Sequence, residues 1–102
     1  MRSTKIVATI GPASRELDVL TAMIEAGMDV ARLNFAHGTP DQHAETAGRV
    51  RAAAERAGRE VAILGDLPGP KLRLGPVAGG VAELGRGTRA VLTPAAVEGT
   101  AD

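Results

Sequence analysis

Short continuous apolar runs alternate along this chain with stretches whose apolar residues recur at helical spacing. Lys5 to Ile10 is the first run, closed by Gly11-Pro12, the pattern of a buried strand ending in a turn. Ser14 stands where a helix cap belongs. A helix is predicted from about Arg15 to Ala26, with Leu17, Leu20, Ile24 and Met28 on one face and Gly27 as its stop. Asp29 to Leu33 reads as a second strand. Thr39-Pro40-Asp41-Gln42 is a strong helix start: Thr39 caps, Pro40 takes the first helical position and Gln42 completes a capping box. That helix should reach about Ala57 before Gly58. Ala47, Val50, Ala54 and Ala57 form its inner stripe, with Arg49, Glu55, Arg56 and Arg59 solvated. Glu60 to Asp66 is the third strand.

The order is β-α-β-α-β, and the strands are not alternating. Such runs favour a parallel sheet covered on both faces. The spacing is compatible with a (β/α)8 barrel or a doubly wound sheet, and both gather function at the C-terminal ends of their strands. The character of the chain changes at Gly75. Short β-like pieces at Val81 to Leu84 and Arg89 to Thr93 read as a hairpin around Gly85-Arg86-Gly87, and Pro94 to Asp102 carries no clear signal. Three strands and a hairpin make an incomplete sheet with exposed edges, the expectation for a piece of a larger domain.

Composition narrows the function classes. The 102 residues are 44% apolar, almost all of it aliphatic, and Phe35 is the single aromatic residue. One aromatic ring offers essentially no platform for stacking nucleic-acid bases. The formal net charge is +0, which argues against a general polyanion binder but not against a local site for one phosphate. With no cysteine there is neither a disulfide framework nor a thiolate metal site. No apolar run approaches the roughly 20 residues that span a bilayer. Met1-Arg2-Ser3-Thr4-Lys5 leads into a strand without a signal-peptide core. The expectation is a soluble, cytoplasmic protein with no membrane or nucleic-acid partner.

Candidate chemistry lies where two strands end. Val30-Ala31-Arg32-Leu33-Asn34-Phe35-Ala36-His37-Gly38 and Ile63-Leu64-Gly65-Asp66-Leu67-Pro68-Gly69-Pro70-Lys71-Leu72-Arg73-Leu74-Gly75 both begin apolar and turn into charge, amide and glycine. If the strands are neighbours, Arg32, Asn34, Asp66, Lys71 and Arg73 converge on one rim. Paired guanidinium forks suit an anion with several oxygens, such as a phosphate. Taken singly, each residue also reads as an ordinary polar strand end. Lys71 and Arg73 also read as the polar face of an edge strand, Lys71 to Leu74.

Other signals are weaker. His37 and His43 are the only histidines, and neither spacing nor neighbours make a zinc site. His37, beside Gly38, is the better ligand candidate, and His43 is expected on a solvated helix face. Gly85-Arg86-Gly87-Thr88-Arg89-Ala90 imitates a dinucleotide fingerprint but lacks the helix that must follow it. No P-loop and no nucleophile elbow is present.

The runs TKIVATIGPAS, EAGMDVARLNF and AILGDLPGPKLRLG together resemble the first part of pyruvate kinase, densely from Thr4 to Gly75 and loosely to Thr93. The resemblance implies the first three βα units of a (β/α)8 TIM barrel over residues 1–75. Residues 76–102 would begin the β-rich lid domain that the family inserts after its third strand. It implies phosphoryl transfer from phosphoenolpyruvate to ADP, giving pyruvate and ATP. By the same resemblance Arg32 and Arg73 are catalytic. Arg32 holds the phosphoryl group of phosphoenolpyruvate, and Arg73, His37 and Asn34 lie at the nucleotide. Asn34 and Asp66 match ligands of a monovalent-cation site. Many members have serine at Ala36, threonine at Leu67 and glutamate at Lys71. The expectation is that the Lys71 ammonium replaces potassium as a fixed positive charge.

The family's catalytic lysine and Mg2+ ligands belong to parts absent here, so this chain alone is expected to be inactive. The complete protein is expected to be a homotetramer. The alternative is a truncated, non-catalytic protein that binds phosphate-bearing ligands or a full-length partner subunit.

Overall fold

The computed structural model describes residues 2–101, and the chain divides into two compact units between Gly69 and Pro70. The first unit runs β1 (Val7–Thr9), α1 (Leu17–Ala26), β2 (Val30–Asn34), α2 (Pro40–Ala57) and β3 (Ala62–Asp66). The strands form a parallel sheet in the order β1-β2-β3, with Val7, Val30 and Ala62 at one level and Thr9, Arg32 and Leu64 at another. Each crossover returns to the next position, so both helices fall on one side, where they pack against each other.

The core lies between that helical layer and one sheet face. Leu20 and Ile24 of α1, and Met28 just beyond its end, meet Ala31 and Leu33 of β2, with Val50 and Ala53 of α2. Ala8, Val61 and Ile63 pack against them. The stripe on α2 is rotated from the predicted one. Ala53 is fully buried beside Val50, whereas Ala47, Ala54 and Ala57 are only partly covered. In a helix rich in alanine, small residues on several faces make the pattern degenerate, and packing chooses among them.

The expectation that both sheet faces are covered is corrected. Val7 is 54% exposed and Leu64 43%, because both helices lie on the opposite side. The start of α1 is also corrected. Ser14 does not cap it: its Oγ accepts from the Gly11 N–H at 3.0 Å, and its own N–H donates to the Gly11 carbonyl at 3.0 Å. Consumed by the turn after β1, it leaves Glu16 at the cap, where no side chain bonds the first helical amides. α2 begins as predicted. Thr39 Oγ1 accepts from the Gln42 N–H at 3.3 Å, and Gln42 Oε1 accepts from the Thr39 N–H at 3.0 Å.

At the N-terminal end of β2, Asp29 ties several segments together. Its Oδ2 accepts from the Ile6 N–H at 2.8 Å, and Arg2 and Arg59 approach it at 3.6 and 3.4 Å. The Ile6 bond lowers its carboxyl below the ordinary value against the opposing effect of burial, and the charges of Arg2, Lys5 and Arg59 lower it further.

Among the described residues of the second unit, regular structure is limited to a 3-10 turn at Ala78–Gly80 and a bridge between Val77 and Gly99. The predicted hairpin is absent. Gly85 to Thr88 does turn, with the Thr88 N–H donating to the Gly85 carbonyl at 3.1 Å, but Val81, Leu84, Val91 and Leu92 stay exposed. A two-stranded hairpin without an apolar surface to pack on is marginal in water. Lys71 to Leu74 likewise forms no strand.

Candidate functional site

Alternation along β2 puts Arg32 and Asn34 on the face away from the helices, and Asp66 stands level with Asn34. The Arg32 guanidinium lies between the neighbouring strands. Its Nε donates to Asp66 Oδ2 at 3.0 Å, and Nη2 donates to the same oxygen. On the other side, Nη1 donates to Thr9 Oγ1 at 2.9 Å. Each terminal nitrogen carries a second hydrogen, so the fork keeps donors for an incoming anion. Arg32 and Asp66 are 31% and 43% exposed, so the pair is strongly solvent-screened and modest in energy. Its consequence is orientation: a long, flexible side chain is held at both ends of its planar group.

The loop after β2 is held by its own amide and imidazole groups. Asn34 Oδ1 accepts from the Ala36 N–H at 3.1 Å, and the Asn34 carbonyl accepts from the His37 N–H at 3.2 Å. His43 Nε2 lies 2.5 Å from the His37 carbonyl oxygen and donates to it, because a carbonyl can only accept. The His43 ring stands edge-on to Phe35, centroids 4.8 Å apart. His43 is therefore a brace for the loop, contrary to the expected solvated position. His37 itself is exposed.

Beside this loop is a cavity of about 510 Å3, lined by Thr9, Gly11, Pro12, Arg15, Asn34, His37, Gln42 and Thr46 among others. Donors and acceptors from the ends of β1 and β2 and the start of α2 thus face one space. A second cavity, about 440 Å3, is apolar and runs between Leu33, Phe35, Ile63 and the first turns of α2.

Of the residues expected on one rim, Arg32, Asn34 and Asp66 come together on the sheet. Lys71 and Arg73 belong to the second unit, and both are exposed. Thr9 was not among them: it is a hydroxyl inside the first apolar run, and its contact with Arg32 depends on the register between β1 and β2.

The comparisons give the family. The pyruvate kinase barrel-domain model matches residues 1–100. The chain belongs to the pyruvate kinase family. It is 53% identical over 96 residues to a pyruvate kinase of Thermococcus litoralis, covering 94% of this chain and 20% of that protein. It is 48% identical over 101 residues to one from Mycobacterium tuberculosis, covering 99% and 21%. A pyruvate kinase of Geobacillus stearothermophilus is 48% identical over 99 residues, covering 97% and 17%. The chain spans about a fifth of the length of these curated relatives.

Few side-chain oxygens are left here for a monovalent cation. Asn34 Oδ1 is turned onto the Ala36 amide and Asp66 Oδ2 onto Arg32, while Ala36 and Leu67 bear no side-chain oxygen. Hard cations require several oxygens together. Among the described residues no group of three or more His, Cys, Asp or Glu could hold a metal ion, and no helix is long and apolar enough to cross a membrane.

Proposed function

We infer that this chain supplies the N-terminal barrel strands of a cytoplasmic pyruvate kinase, which transfers the phosphoryl group of phosphoenolpyruvate to ADP. The observation that carries this is the guanidinium of Arg32, held between Thr9 and Asp66 at the C-terminal rim of a parallel sheet. Residues 76–102 begin the inserted β-rich domain. In the reaction the bond between phosphorus and the enolate oxygen breaks while a terminal ADP oxygen bonds to phosphorus. The released enolate takes a proton on its methylene carbon to become pyruvate.

Arg32 binds oxygens of the transferring group, and Arg73 offers a second fork to the phosphates. Asn34 and His37 line the nucleotide side. Little covalent chemistry is asked of the protein, so placing positive donors around the phosphoryl oxygens is its main contribution. Magnesium, whose ligands lie outside these residues, neutralises phosphate charge when bound. Arg32 already gives Asp66 a cationic partner, and Lys71 supplies a further fixed positive charge in place of potassium. The complete protein acts as a homotetramer.

The test begins with the intact mass of the natural gene product. A mass several times 10.4 kDa, with pyruvate formed from phosphoenolpyruvate, ADP and Mg2+, supports the reading. A mass near 10.4 kDa overturns catalysis in favour of a non-catalytic binder of phosphate-bearing ligands. A many-fold gain in rate on replacing Na+ by K+ at constant ionic strength overturns the role given to Lys71.

A further inference from the structure

We propose that Thr9 is a positioning residue for phosphoryl transfer, acting through Arg32; this rests on the pyruvate kinase reading above. Thr9 is the last residue of β1 and stands level with Arg32 across the parallel ladder. Both side chains rise from the open face of the sheet, and Thr9 Oγ1 accepts from Nη1 at 2.9 Å. Asp66 grips the guanidinium through Nε and Nη2. Those two nitrogens lie on one edge of the plane, so Asp66 alone leaves the group free to pivot about its carboxylate. Thr9 holds the opposite terminal nitrogen from the neighbouring strand. The two holds together fix the plane, and with it the direction of the hydrogens left for an anion.

An arginine contributes to phosphoryl transfer only when its fork already faces the oxygens on which charge develops. A side chain with this much rotamer freedom otherwise loses it on each binding event. Thr9 has two attributes that suit the task. Its β-branched side chain has restricted χ1 freedom, so its hydroxyl is itself well placed. Being neutral, it accepts a hydrogen bond without cancelling the positive charge that the phosphoryl group must meet. An acidic residue there would give Arg32 a second counter-charge.

The experiment compares Thr9→Val, which keeps the shape and loses the oxygen, with Thr9→Ser, which keeps the oxygen, in the complete natural gene product. Two readouts are taken. The first is steady-state kinetics with phosphoenolpyruvate and ADP. The second is the rate at which phenylglyoxal modifies Arg32, followed by peptide mass, with Arg56 and Arg59 as internal standards.

The expected result for Thr9→Val is a fall in kcat/KM for phosphoenolpyruvate of about tenfold, the loss of one well-placed charge-assisted bond. The KM for ADP should stay near its starting value. Arg32 should react several-fold faster while the standards are unchanged. Thr9→Ser should restore most of both. Thr9→Val with wild-type kinetics overturns the proposal, as does equal loss in Thr9→Val and Thr9→Ser. Faster modification of all the arginines together would mean general loosening and also overturns it. If the unmodified protein makes no pyruvate, the kinase reading fails, and Arg32 reactivity then decides by itself whether Thr9 holds the guanidinium.

Discussion

Replacing Gly27 by alanine should cost the first unit about 1.5–4.5 kcal/mol of stability, from two separable sources. Gly27 ends α1 with φ 120 and ψ 15, a conformation that glycine adopts freely and alanine does not, worth about 1–3 kcal/mol of backbone strain. The second source is steric. A Cβ on Gly27 would lie 2.6 Å from Nη2 of Arg2 and 2.9 Å from Nη1. Arg2 would have to leave, giving up its bond to the Gly27 carbonyl at 2.6 Å, worth about 0.5–1.5 kcal/mol. Arg2 is long and half-exposed, so it can swing away, which is why the total stays moderate.

Urea unfolding of wild type, Gly27→Ala, Arg2→Ala and the double variant separates the two. In the Arg2→Ala background the alanine has no guanidinium to displace, so its cost should shrink to the backbone strain alone. The double variant should therefore be more stable than the sum of the single losses implies, by about 1 kcal/mol. Strict additivity would refute the steric half of this reasoning. An unchanged midpoint for Gly27→Ala would refute the backbone half.

Asp29 predicts acid sensitivity of defined sign. Its folded-state carboxyl is lowered below 3.8, first by the Ile6 N–H and then by Arg2, Lys5 and Arg59. Its contribution is thus fully present above that value and lost as pH falls through the folded value. The thermal midpoint followed from neutral pH down to about pH 2 should drop less steeply at its acid end in Asp29→Asn than in wild type. Identical slopes would contradict the assignment. Gly65→Ala places a methyl 2.6 Å from Cε2 of Phe35, so the ring must move or β3 must shift, at about 1–3 kcal/mol. Phe35→Leu in the same chain should recover part of that loss in a denaturant titration, and no recovery would put the strain elsewhere.

The elements most legible in the sequence were those with a local physical cause. Thr39, Pro40 and Gln42 specify the start of α2 within one turn, because the capping box closes on itself whatever lies around it. Gly27 and Gly58 mark the helix ends through positive φ, 120 and 65. What failed needed knowledge of a competitor or of a surface. Ser14 is a good cap by residue type, yet the Gly11 amide after β1 takes its hydroxyl first. The Val81 to Thr93 segment has strand-forming residues, but its apolar side chains find nothing to pack on. His43 looked solvated because helical spacing says nothing about a loop that folds back over the helix start.

The rim was legible only to the degree that alternation makes it so. Arg32 and Asn34 are two residues apart and must share a face in any strand. Whether Asp66 joins them depends on the register of β3 against β2, which no local pattern states. A slip of one residue would turn Asp66 to the helical side and Gly65 toward Arg32. What prevents the slip is on the other face, where Ala31 and Leu33 are buried, with Ile63 level with Ala31 and packed against the same core. The register that seats these apolar side chains beneath the helices also sets Thr9 and Asp66 on either side of the guanidinium. A core substitution that shifted β3 would therefore disturb Arg32 without touching it. Thr9→Val would disturb Arg32 and leave that core in place, which is why the hydroxyl is the cleaner probe of how the fork is aimed.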